Sequence, residues 1–191
     1  MFFNLFKEQP QATDASAQIV NWSICRARQT FPQQFAKPSD NDEQRQQKFE
    51  IITVFMAMAF WYLSKDKQNQ DLSQASHDHL FDNFEVALRE QGVSDVKLAG
   101  KIRKLADTFQ QRMVSYKEDF EQHNTSALSS HLTEYGVCET NEAFSLAISN
   151  IAESKKIRDL SLDDWLEYIQ NPLPGKYEPH ELNPNEISEI V

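Results

Sequence analysis

The sequence predicts an all-α protein, a single compact helical domain of about six or seven helices around one buried apolar helix, and three observations carry that expectation. Only four glycines and seven prolines occur among 191 residues, while Ala, Leu, Glu, Gln and Lys, all good helix formers, are abundant. Residues 49–63 are apolar on almost every side, and a helix without a polar face has to be enclosed by other elements. Further on, Leu98, Ile102, Leu105, Phe109, Met113, Tyr116 and Phe120 recur every three or four positions, which is the signature of a long core-facing helix.

The apolar run reads as a core helix rather than a membrane span. Crossing ~30 Å of hydrocarbon takes about 20 apolar residues at ~1.5 Å of rise each, and residues 51–63 fall short of that. Its start is legible too. Ser39, Asp40, Asn41 and Asp42 offer N-caps after Pro38, and Glu43 places negative charge in the first turn, where the helix dipole favours it.

The other elements follow in order. A first helix is expected from about residue 14 to 30, with Ala15, Ile19, Trp22 and Arg26 on one side. Pro32 prevents its continuation, and residues 31–35 read as a connector pinned by its two aromatics. After the core helix, a solvated stretch at 64–70 leads to a helix over about 73–91 that carries Leu80, Phe81, Phe84, Ala87 and Leu88. Gly92 followed by Val93 suits a left-handed C-terminal cap, and Ser94 with Asp95 can start the long helix at about 96–123. Three shorter helices complete the pattern. Thr125 caps one that Gly136 ends; Thr140 or Asn141 begins another that buries Phe144, Ala147, Ile148 and Ile151; Ser161 and Asp164 begin the last, before Trp165, Leu166 and Ile169, in the manner of a capping box. The helical domain is therefore expected at 14–170. An apolar N-terminal segment and connector occupy 1–13, and 171–191 form an acidic tail whose prolines oppose helix formation.

The formal charge is −10 and there are two cysteines, Cys25 and Cys138. With no secretory pattern ahead of the first helix, a reducing cytoplasm is the expected setting. DNA binding is disfavoured, because it needs a basic surface that releases counterions. Against that acidic background Lys97, Lys101, Arg103 and Lys104, with Arg112 and Lys117 further on, make a local basic patch. It suits an acidic protein segment, RNA at a ribosome or anionic lipid headgroups. Phe109 and Met113 on the same helix are candidate apolar partner contacts, and Phe2, Phe3, Leu5 and Phe6 are candidate membrane contacts.

Nothing points to catalysis. The chain has no phosphate loop, nucleophile elbow or zinc-protease motif. His77 and His79, two positions apart on a helix, point roughly 200° from each other and do not share a metal; they are expected on the surface near a helix start. No catalytic residue, cofactor or metal is assigned, and a non-enzyme is expected.

Several stretches together resemble the ubiquinol-cytochrome c chaperone family. They are Phe49-Glu50 with the apolar helix through Phe60-Trp61, then Leu80-Phe81-Asp82-Asn83-Phe84-Glu85, then Leu88-Arg89-Glu90-Gln91-Gly92-Val93-Ser94-Asp95, then Lys101-Ile102-Arg103-Lys104-Leu105-Ala106-Asp107-Thr108-Phe109, and Arg112. The likeness runs from about residue 31 to 169, and 88–112 is its most specific part. Gln110-Gln111 depart from it, standing where the family commonly has an aromatic and a glycine. The resemblance implies an all-helical bacterial assembly chaperone, cytoplasmic and peripheral at the inner membrane. Such a protein binds cytochrome b, or a related hydrophobic membrane client, near the ribosome exit before assembly of the bc1 complex. It implies no catalytic residue and no cofactor. The alternative reading is a peripheral membrane or lipid-binding module without a protein client, using the N-terminal segment and the basic patch.

Overall fold

The fold is known from a computed structural model that describes residues 10–36, 39 and 41–170, with side chains from residue 14 onward. Among them lie α1 (Pro10–Thr30), α2 (Pro32–Phe35), α3 (Asp42–Leu63), α4 (Gln70–Glu90), α5 (Asp95–Glu121), α6 (Thr125–Glu134), α7 (Thr140–Ile157) and α8 (Leu162–Gln170), with one turn of 3-10 helix at Lys67–Asn69 before α4. The class is all-α, as the sequence predicts. The eighth helix is the single turn α2, where Pro32 at the first position pre-sets the backbone for a helix. Phe31 is buried and Phe35 half-buried, so the aromatics pin this segment as expected.

The apolar run is the axis of the molecule. Asn41 caps α3 by accepting the Gln44 N–H at 2.9 Å, and every residue from 48 to 63 except Phe60 is buried. Helices α1 and α5 flank it most closely, and α4 and α7 also touch it. No described helix is long and apolar enough to cross a membrane.

The far end of α3 is locked by α8. Trp165 is fully buried, its ring 4.2 Å from that of Tyr62 and 6.2 Å from that of Trp22. The Tyr62 hydroxyl donates to the Leu160 carbonyl at 2.9 Å. An Arg26–Glu153 ion pair ties α1 to α7, and the Tyr168 hydroxyl donates to the same carboxylate at 3.2 Å.

Five local expectations change. Helix α4 begins at Gln70 rather than near 73, because Asp66 caps the preceding 3-10 turn, accepting from Gln68 N–H, and feeds it straight into the helix. His77 and His79 therefore sit inside α4 and are half-buried. Asn124, not Thr125, caps α6, accepting from Ala127 N–H at 3.0 Å. On α7 the buried stripe is Ala143, Ala147, Asn150, Ile151 and Ser154, so Phe144 and Ile148, one residue out of phase, are 53% and 50% exposed. Helix α1 starts at Pro10, ahead of the expected residue 14, again with proline at its first turn.

Helices α4 and α6 end alike. At φ +78°, Gly92 donates to Arg89 O and Val93 to Leu88 O; at φ +73°, Gly136 donates to Thr133 O and Val137 to Leu132 O. Both are left-handed caps with the paired bonds that satisfy the last carbonyls. His123 ends α5 the same way at φ 51°, a conformation unusual for a side chain with a Cβ. A Cβ at Gly92 meets nothing within 4 Å, so Gly92→Val tests backbone strain alone. It is expected to cost about 1 kcal/mol or more, read as a lower melting temperature.

Candidate functional site

Helix α5 carries most of the candidate residues and separates them into three environments. Its inner side packs on α3. Arg112 lies there, half-buried, with Nε at 3.0 and 3.2 Å from the two Glu50 carboxylate oxygens and Nη2 at 3.1 Å from Oε1. Glu50 is 1% exposed and also accepts from Gln46 Nε2 at 2.9 Å. The guanidinium stacks 3.6 Å over Tyr135, whose hydroxyl lies 3.1 Å from Ser115 Oγ. Behind Tyr135 the His131 ring stacks at 5.4 Å and 6°, with Nδ1 at 2.6 Å from buried Asp119. Burial opposes the charge on Arg112, but the hydrogen bonds and negative charge of Glu50 outweigh it and raise its pKa. Burial also holds Tyr116 well above the usual phenol range and raises Asp119.

The second environment is an apolar groove of about 270 Å³ where α3, the start of α4 and the middle of α5 meet. Ala57, Phe60, Trp61, His77, Phe109 and Met113 line it together with the polar Ser64, Gln70, Ser73, Gln74, Gln110 and Lys117. Phe109 is 2% exposed and forms the base, its ring 5.5 Å from Phe81 and 6.0 Å from both Phe60 and His77. Met113 and Phe60 are half-buried and form the walls. This volume lies just under the ~300 to 1,000 Å³ of small-molecule pockets and suits a few apolar side chains of a partner.

The third is a groove of about 260 Å³ between the start of α3, the end of α4 and the first turns of α5. Phe49, Leu88 and Leu105 form its base, and Arg45, Lys101 and Lys104 stand at its rim beside Asp42. Arg45 donates to Asp42, and this bond first, then the charges of Arg45, Lys101 and Lys104, lower the Asp42 pKa. Neither Lys101 nor Lys104 makes an ion pair with a described residue. Lys97 is exposed one turn earlier, and Arg103, two positions after Lys101 and so turned roughly 200° from it, is exposed elsewhere.

The basic patch of the sequence is thus divided. Lys101 and Lys104 share a groove, Lys97 and Arg103 are exposed, Arg112 is engaged internally, and Lys117 borders the apolar groove. Phe2, Phe3, Leu5 and Phe6 lie outside the described residues, as do the tail positions 171–191. The internal partners of Arg112 escaped sequence reasoning, although a lone carboxylate, Glu50, in an apolar run demands a buried cation. Arg45 and His77 were also missed, since only packing brings them to the grooves.

Neither Cys25 nor Cys138 forms a disulfide with a described residue, and both are half-buried. Burial, aided by Glu142 and Glu139, pushes the Cys138 thiol up to about 11, which keeps it protonated and unreactive. Burial lowers the pKa of His79, with Asp82 opposing in part. The folded state therefore prefers the neutral ring, while the unfolded chain takes up a proton near the ordinary 6.5. Stability from this group is present above that pH and lost as pH falls through the lowered value. The melting temperature is expected to drop between about pH 7.5 and about pH 5.5 by less in His79→Gln than in the wild type.

The family model described as "Ubiquinol-cytochrome C chaperone" matches residues 39–151, more than half of the chain and inside the wider span that the sequence motifs mark. No curated protein matches at a significant level. The crystal structure of the Cbp3 homolog from Brucella abortus is similar in fold, with a TM-score of 0.65 at 22% identity, covering 87% of this chain and 93% of that one. The family span takes in α3 to α6 and most of α7, hence both grooves and the Glu50–Arg112 pair, and on that match the chain belongs to the ubiquinol-cytochrome C chaperone family.

Proposed function

We propose that this chain is an assembly chaperone that binds cytochrome b, or a related hydrophobic membrane client, during biogenesis of the bc1 complex. The observation that carries the reading is the apolar groove. A chaperone for membrane segments needs exposed apolar surface that adapts to varied side chains, and methionine with aromatics supplies it. Met113 and Phe60 offer such walls at the surface, over Phe109 and Trp61, with Phe81 packed edge-on against Phe109. The groove holds client side chains a few at a time rather than a whole helix. The setting is cytoplasmic, next to the bacterial inner membrane or the ribosome exit, where such clients emerge; Lys97 and Arg103, exposed on α5, suit those anionic surroundings.

The test is capture from detergent-solubilised membranes of the host with tagged full-length protein, beside Met113→Glu. Met113 is half-buried at the groove wall, so the variant is expected to fold, which its helical circular dichroism and melting curve check. Cytochrome b in the wild-type eluate and its loss from the variant are the expected results. Capture of lipid alone, weakening with salt as surface electrostatics do, would replace this reading with the lipid-binding module.

A further inference from the structure

The cationic groove faces a mismatch of charge that the chain itself can resolve. The protein carries a net charge of −10, yet Arg45, Lys101 and Lys104 converge on one apolar-based groove, two of them without an ion-pair partner among the described residues. The pKa of Asp42 at this rim is lowered, first by the hydrogen bond and charge of Arg45 and then by the charges of Lys101 and Lys104. The segment 181–190 reads Glu181-Leu182-Asn183-Pro184-Asn185-Glu186-Ile187-Ser188-Glu189-Ile190, alternating carboxylates with aliphatic side chains. That pairing of chemistries complements a rim of cations over a base of Phe49, Leu88 and Leu105.

We infer that the acidic tail of this chain docks in the groove between α3, α4 and α5, with Glu186 and Glu189 on Lys101, Lys104 and Arg45 and with Ile187 and Ile190 over the apolar base. The chain is long enough. Helix α8 ends at Gln170, which is held to Gln18 at 2.9 Å, and α8 packs on Tyr62 at the far end of α3. From Tyr62 back to Gln46 is about 24 Å along the helix axis at ~1.5 Å per residue. Residues 171–185 span up to about 50 Å at ~3.3 Å each, enough to cover that distance and pass round a helix of ~10 Å diameter. The inference concerns the cationic groove alone and does not rest on the client reading.

The experiment uses the full-length protein treated with a carbodiimide, which joins an amine to a carboxylate in contact, followed by isolation of the monomer and peptide mass mapping. The expected result is amide links from Lys101 and Lys104 to Glu186 or Glu189 within the monomer, suppressed at high salt. The links are lost in Lys101→Glu/Lys104→Glu and return when Glu186→Lys/Glu189→Lys is added, because the reversed charges attract again. Both variants change exposed or tail positions, and unchanged melting curves verify that the fold is intact. Tail links spread over all exposed lysines, links confined to a dimer, which would mean that a second copy supplies the tail, or no recovery on charge reversal would each overturn the inference.

Discussion

Arg112→Ala is expected to destabilise the protein by about 3 to 5 kcal/mol, because it strips a buried carboxylate of its counter-charge. Glu50 is 1% exposed in the middle of an apolar helix and takes three of its hydrogen bonds from the Arg112 guanidinium. Gln46 supplies only one more. The loss extends to the stack on Tyr135, which orients the α6 side of the interface. Arg112→Lys is expected to recover only part, since an ammonium does not reproduce the planar two-pronged contact. The double variant Glu50→Leu/Arg112→Met should lose much less than Arg112→Ala, because no charge is then left unpaired. Denaturant unfolding checks all three. An Arg112→Ala variant within about 1 kcal/mol of wild type would mean that Glu50 is not buried as described.

Phe109→Ala is the second large effect, expected at roughly 3 to 5 kcal/mol. Phe109 is 2% exposed, and its ring meets Phe81 and Phe60 edge-on, so truncation loses those contacts and leaves a cavity beneath the apolar groove. Phe109→Leu, closer in volume, should cost well under half as much. The comparison separates the base of the groove from its walls. Phe109 variants are expected to fail through stability, and Met113→Glu through client capture with stability nearly retained. A stable Phe109→Ala that has lost capture would instead make Phe109 a direct contact.

Much of this architecture is legible in the sequence because helix periodicity and capping are local. The stripe Leu98 to Phe120 and the cap at Gly92 need only neighbouring residues to be read, and the apolar run 49–63 announces its own burial. The basic patch was not legible as a unit. Lys101, Arg103, Lys104 and Arg112 are close in sequence, but the 100° step of a helix sends them to different surroundings, and only the position of Glu50 across the interface determines that Arg112 turns inward. The grooves are likewise tertiary. Phe60, His77 and Met113 come from three helices, and no spacing within one helix predicts their meeting. Phe144 and Ile148 show the limit of periodicity itself: Ala143 and Ala147, adjacent and smaller, take the buried phase because α6 packs close to α7.

The central claim, a role in bc1 assembly through a hydrophobic client, is tested most directly in the host. The gene is deleted, and membrane b-type haem and quinol–cytochrome c reductase activity are measured, with wild-type and Met113→Glu copies returned. The account predicts that both fall on deletion, that wild type restores them and that Met113→Glu, though folded, does not. Unchanged haem b and reductase activity in the deletion strain would contradict it.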